Sequence, residues 1–250
     1  GSGSSITYAS QGSMAIKFKK AFGPTELNYP LFEGSSVDEF DTLILDSGNQ
    51  NSIHANSGVL TKRHAQCMRD QFMMELQGAV GQPAPLGRHA HVFINGLYWG
   101  LYNLHERPDE DWAANHGEGR SEEYDWVKEG GVFAGNDHNF DHPTSPGSWR
   151  TALEIAANGL NLGDQWQGVP SYEALQEHVD LENYIDYMLI NFYGGHLDWP
   201  GQNWMATSHA RNSEDFTDVN PEGSFRFHSW DAETTLNWVG VTAVDDGWYD

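Results

Sequence analysis

The spacing of apolar side chains changes period several times along the chain, and each change predicts an element. Met14 to Lys20 alternates apolar and polar positions as a half-buried strand does. Phe40 to Leu45 reads as a second apolar strand, closed by Asp46-Ser47-Gly48, with Phe22-Gly23-Pro24 and Asn28-Tyr29-Pro30 marking a loop between the two. Leu60 to Val80 predicts the first long helix, because Met68, Phe72, Met73, Leu76 and Val80 recur at spacings of three and four and Gly81 ends the run. His89 to Ile94 and Leu97 to Leu104 flank Asn95-Gly96, the strongest short-range hairpin signal, and Glu106-Arg107-Pro108 stops the second strand.

From Asp109 to Gly168 the chain is rich in Gly, Asn, Asp, His and Trp, which predicts loops with one short helix at Trp149 to Ala157. Loops of that length point to a binding role or an insertion. Ser171 is the expected cap of the next helix, and apolar residues continue through Leu175, Val179, Tyr184, Ile185, Met188, Leu189 and Phe192 as two helical segments hinged near Asp180. They stop at Gly194-Gly195. Asn203 to Thr207 and Ser224 to His228 read as short strands, the second closed by Trp230-Asp231.

Composition narrows the classes of partner. With 36 acidic residues against 13 Lys and Arg, the formal net charge is −23, so the average surface repels phosphate backbones and anionic lipid. No nucleic-acid partner is expected. A ligand carrying phosphates would need a divalent cation and a local basic cluster to offset this field. The single cysteine, Cys67, excludes an internal disulfide and is expected as a small packed residue; its rarity fits the cytoplasm and a secreted protein equally. No run of 18 apolar residues exists, so no membrane insertion is expected. The ending at Trp248-Tyr249-Asp250, without a capping pattern, leads to the expectation of a C-terminally truncated chain.

The densest chemistry lies in His196-Leu197-Asp198-Trp199-Pro200-Gly201-Gln202-Asn203 and in Trp230-Asp231. An acid, an amide five positions on, and a second acid after a β-rich run is the order in which protein kinases place a catalytic base, a metal amide and a metal carboxylate. Phosphoryl transfer asks a protein mainly for positioning and charge neutralisation, which such residues supply. Asp198 follows a helix end marked by two glycines, an exposed position suited to orienting an acceptor. Each residue has a plainer explanation: Asp198 as a cap of the Pro200-Gly201 turn, Asn203 as a turn amide, Asp231 as a strand-end acid.

Three segments carry a family resemblance: Ile94-Asn95-Gly96-Leu97-Tyr98-Trp99-Gly100-Leu101-Tyr102-Asn103-Leu104-His105-Glu106-Arg107-Pro108, the loop from Asp198-Trp199 to Asn203-Trp204, and Phe227-His228-Ser229-Trp230-Asp231. On these the chain resembles the CotH family of spore-coat and secreted kinase-like proteins. The resemblance implies an atypical protein-kinase-like, two-lobed α+β fold that binds ATP with Mg²⁺ or Mn²⁺ and phosphorylates Ser or Thr of a protein substrate. It implies a small β-rich N-terminal lobe with one long helix over residues 1–107 and a larger, mainly helical lobe over 108–250. By position it makes Asp198 the catalytic aspartate, with Asn203 and Asp231 on the metal. Glu233 stands where the family often has a second Asp and is a third candidate metal ligand, with a longer arm. An extracellular or cell-surface location follows from the resemblance alone.

The nucleotide side is less marked. Lys17, in an early strand between apolar neighbours, is the candidate for the phosphate-contacting lysine, although a strand Lys beside Lys19 and Lys20 also describes a solvated edge. Its partner is expected from the long helix, with Glu75 first and Asp70 second. Arg63 and Arg69 on that helix are alternative phosphate contacts, and Glu106 at the end of the hairpin is a candidate nucleotide contact or half of a local pair with Arg107. His138, Asp141 and His142 lie close in sequence but show no helical i, i+4 pair with a following acid, so a zinc hydrolase is disfavoured. Ten Trp and ten Tyr keep a different class open: a non-catalytic surface or carbohydrate-binding module, or a glycoside hydrolase using Asp198 and Glu233.

Overall fold

The computed structural model describes residues 12–48, 66–117, 119–128, 149, 151–153, 155–156, 168–209 and 223–236. The expectations placed on Arg63, His138, Asp141 and His142 lie outside them. The described fold is mixed α/β, with antiparallel sheets. β1 (Met14–Lys17), β4 (Thr42–Asp46), β6 (Leu97–His105) and β5 (Gly87–Ile94) form a four-stranded sheet in the order β1-β4-β6-β5, and β2 (Leu27–Asn28) pairs with β3 (Glu39–Phe40) beside it. β7 (Tyr124–Lys128), β8 (Trp204–His209) and β9 (Arg226–Ser229) form a second sheet in chain order. The helices are α1 (Arg69–Ala79), α2 (Glu110–His116), α3 (Gly168–Leu175) and α4 (Leu181–Gly194), with a 3-10 turn at Ser121–Glu123.

The hairpin forms where Asn95-Gly96 requires it. Both residues have positive φ, 52° and 79°, which matches the twist of the flanking strands. One face of the four-stranded sheet packs on Phe32, Val37, Phe40 and Leu43. In the second half of the chain, Val127, Trp149, Tyr187, Ala206, Phe225 and Phe227 form the main core, where Trp149 meets Phe225 edge-on at 5.0 Å. α4 begins at Asp180, whose side chain accepts from Asn183 N, and ends at Gly195 in the left-handed conformation, as its flanking residues predict. A Cβ at Gly194 would lie 2.7 Å from the end of the Met73 side chain, so this glycine sets how closely α4 approaches α1.

Several elements depart from the expected pattern. α1 starts at Arg69 rather than near Leu60, because Cys67 takes φ 54° and Met68 is non-helical. Its buried side is not the apolar stripe alone: Met68 and Val80 are exposed, while Asp70, Gln71 and Gln77 are buried with Met73 and Met74. The stretch expected as loops after Asp109 contains α2, capped by Asp109 on Trp112 N, and the strand β7. α3 starts at Gly168, so Ser171 lies inside the helix rather than at its cap. Residues 149, 151–153 and 155–156 are helical, within the span predicted for Trp149 to Ala157.

α1 reaches across to the second sheet through polar side chains. Gln77 Nε2 donates to Phe227 O at 2.6 Å, and Ser229 N donates to Gln77 Oε1 at 2.6 Å. Asn183 completes the same strand edge by accepting from Phe227 N at 2.6 Å. The free edge of β9 is thus covered by two side-chain amides in place of a further strand.

Candidate active site

α4 delivers the first loop. After Gly195, His196 N bonds back to Asn191 O at 3.2 Å, and the chain turns through Leu197 and Asp198 to a cis Trp199–Pro200 bond. β8 then begins immediately after Asn203. β9 delivers the second loop, from Trp230 to Leu236. The β8–β9 register pairs Trp204 with Ser229, so Asn203 and Asp231 lie at the same end of this ladder, each just past its last paired residues. Both have positive φ, 64° and 54°, a conformation that Asn and Asp tolerate better than other side chains but that still has to be held by its surroundings.

The two loops are joined to each other. Leu197 N donates to Thr234 O at 3.2 Å, and Leu236 N donates to Gly194 O at 2.7 Å. Thr234 Oγ1 donates to Asp198 Oδ1, and His196 Nε2 approaches the same oxygen at 3.2 Å. His196 Nδ1 lies 3.0 Å from Asn191 Oδ1, and the Asn191 amide donates to Tyr187 O, so the ring is held from α4. Burial alone would raise the Asp198 carboxyl, but the contacts from His196 and Thr234 outweigh it and hold it below the usual carboxylate range. Asp198 is therefore an ionised carboxylate at neutral pH, fixed at Oδ1, with a third of its side chain open to solvent.

Around Asp231 the charge balance is opposite. Burial raises the Asp231 and Glu233 carboxyls, Glu233 well above its ordinary value; Asp46 adds repulsion to both and Asp231 adds it to Glu233, while the hydrogen bond from Glu233 pulls Asp231 back down. Glu233 holds the proton in a hydrogen bond to Asp231, the usual settlement of two close carboxyls without a cation between them. Asp70, at the head of α1, accepts from Ala232 N at 2.7 Å through Oδ1; burial pushes its carboxyl to about 7. His105 stands on the other side, its ring centroid 5.7 Å from Trp230; burial lowers its basicity and keeps it neutral, with Nδ1 donating to Glu106 O at 2.7 Å.

The residues proposed for the nucleotide are placed differently. Lys17 is exposed on the edge strand β1, opposite Thr42, and Glu75 is exposed on α1, accepting from Gln71. Among the described residues no ion pair joins Lys17 to Glu75; the α1 acid that reaches the site is Asp70. Arg69 is buried at the head of α1. Glu106 is also buried, and its carboxylate accepts from Leu86 N, Trp112 Nε1 and His116 Nε2 at 2.8 to 3.0 Å. It anchors the chain segment between β6 and α2. Arg107 lies over the Trp126 ring and 3.7 Å from Asp109 Oδ2 instead of pairing with Glu106.

Sequence reasoning missed His196, Thr234 and Asp46 as parts of the site. His196 carries a usable signal, standing two residues before Asp198; Asp46 reads as a turn residue, and only β4–β6 pairing brings it here. No helix among the described residues is long and apolar enough to cross a membrane.

No curated protein matches the chain. The family model described as CotH kinase protein matches residues 3–247, nearly the whole chain and all the loops that form this site, so the chain belongs to the CotH kinase family.

Proposed function

We propose that the protein transfers the γ-phosphoryl group of ATP to a Ser or Thr hydroxyl of a protein substrate, in a cleft between a β-rich N-terminal lobe ending near Arg107 and the remainder of the chain. The observation that carries this reading is the joined pair of loops: Asp198, ionised and held by Thr234 and His196, beside Asn203 and Asp231 at one end of the β8–β9 ladder.

The donor set fits a hard divalent cation. Asn203 and Asp231 offer an amide and a carboxylate oxygen, and Asp231 sits among acids whose mutual repulsion a cation would relieve. Asn203 and Asp231 would hold Mg²⁺ or Mn²⁺, which would supply neutralisation of the nucleotide's phosphate charge. Asp198 orients the acceptor hydroxyl and takes its proton, and its low basicity keeps it charged throughout the neutral range. The net charge of −23 disfavours a nucleic-acid acceptor and fits an extracellular setting with a protein substrate.

Transfer of radiolabelled γ-phosphate from ATP to a mixed protein acceptor tests the assignment. Asp198→Asn keeps the Thr234 contact but cannot take a proton, and a fall of about 10²-fold or more is expected. Equal labelling by the wild type and Asp198→Asn would contradict it.

A further inference from the structure

We propose that β5 is a docking edge: its outer side pairs with an extended segment of a partner protein, apolar at its N-terminal end and acidic after it, which adds a strand to the four-stranded sheet. This does not rest on the phosphotransfer reading.

β5 is an edge strand of eight residues, so it offers a row of backbone groups about 25 Å long. In an antiparallel pair every second residue turns its N–H and C=O away from the neighbouring strand, and among the described residues nothing outside β6 pairs with the β5 backbone. The pairing skips Trp99 between Val92–Gly100 and Phe93–Tyr98, so the extra residue lies on β6 and the outer side of β5 stays regular. The opposite edge of the sheet is defended: β1 has four residues, ends in Lys17 and is followed by Lys19 and Lys20. β5 contains no Lys, Pro or acid, and an undefended edge of this length is a template for pairing.

The order of side chains along the strand selects the occupant. The chain has 36 acids in 250 residues, yet none occurs between Glu75 and Glu106. The first half of β5 exposes Arg88, His89 and His91. The second half presents Val92, Phe93 and Ile94, with the Phe93 ring 61% exposed and 5.3 Å from that of Tyr98. Arg88 donates from Nη1 to Leu31 O at 3.3 Å and has no carboxylate partner among the described residues. An antiparallel guest therefore sets apolar residues against Val92 to Ile94 and carboxylates against Arg88 to His91, in that order from its N-terminus. A second copy is a poor match. Self-pairing about the middle of β5 would face Arg88 with Phe93 and His89 with Val92, between chains that each carry a formal charge of −23.

Fluorescence anisotropy with the labelled synthetic peptide Thr-Val-Ile-Val-Thr-Glu-Thr-Glu, capped at both ends, tests the edge. This probe is expected to bind, and its analogue with Lys in place of Glu to bind at least roughly tenfold more weakly. Arg88→Glu, a change at an exposed position, is expected to weaken the Glu probe by roughly tenfold or more and to strengthen the Lys probe. N-methylation of alternate probe residues can be made in two sets, one facing β5 and one facing solvent; the first should abolish binding and the second spare it. No binding of the Glu probe, equal affinity for the Glu and Lys probes, or full binding by both methylated sets overturns the proposal. So does a dimer in light scattering that the probe disperses, which would give the edge to a second copy.

Discussion

Asp109 caps α2 by accepting from Trp112 N at 3.3 Å, and in doing so it is buried beside Arg107, Asp41 and Glu110. Burial raises its carboxyl from 3.8 to about 7, against the pull of Arg107. A folded-state value above the unfolded one means that the folded chain binds the extra proton between the two. The stability this contributes is complete below about pH 4 and is lost as the pH rises through about 7. Asn caps a helix as well as Asp but does not ionise. Asp109→Asn should therefore flatten the fall in unfolding free energy over this range, by up to about 1.4 kcal/mol per pH unit. Denaturant unfolding of both proteins at several pH values checks it, and identical slopes would refute it. The same physics explains which site residues could be read in the sequence. Asp198, Asn203 and Asp231 are separated by local spacing and one strand pair, so their order survives in the linear chain. Asp46 and Asp70 reach the site only through strand pairing and the docking of α1, and nothing local marks them.

At the level of elements, α1 is the connecting piece, and its polar side does the connecting. The apolar period of Met68, Phe72, Met73, Leu76 and Val80 predicts a helix correctly and the packing of Phe72, Met73 and Leu76, but it leaves out the buried polar residues beside them, and Met68 and Val80 at its ends are exposed. Gln77, wholly buried, bridges Phe227 O and Ser229 N, so the face turned to β9 had to be polar. In Gln77→Leu, similar in size, Ser229 N loses its acceptor in a buried position while Phe227 O keeps Asn183. One lost bond and one orphaned donor predict a loss of about 2–4 kcal/mol in urea unfolding, and a change below about 0.5 kcal/mol would show that the bridge does not hold α1 to β9. The Asn95-Gly96 hairpin and α4 with its Gly195 stop were legible because turn and cap chemistry is local. β7 was not, because five residues in a Gly- and Asp-rich setting become a strand only by pairing with β8.

For the whole molecule, 36 acids against 13 Lys and Arg make any bound polyphosphate dependent on a cation, and the loops after α4 and β9 are where such a cation would be shared with the acceptor-orienting carboxylate. Asp231 is the residue on which this depends, since it lies in the loop that ties Asp198 to the second sheet. The most direct measurement is the thermal unfolding of the wild type and of Asp231→Ala with Mg²⁺ and increasing ATP. At a hundredfold excess over the dissociation constant, nucleotide held in the folded state stabilises the wild type by about 2.7 kcal/mol. Asp231→Ala should lose this gain. Absence of any stabilisation in the wild type, or an equal gain in Asp231→Ala, would contradict nucleotide binding through this metal pair.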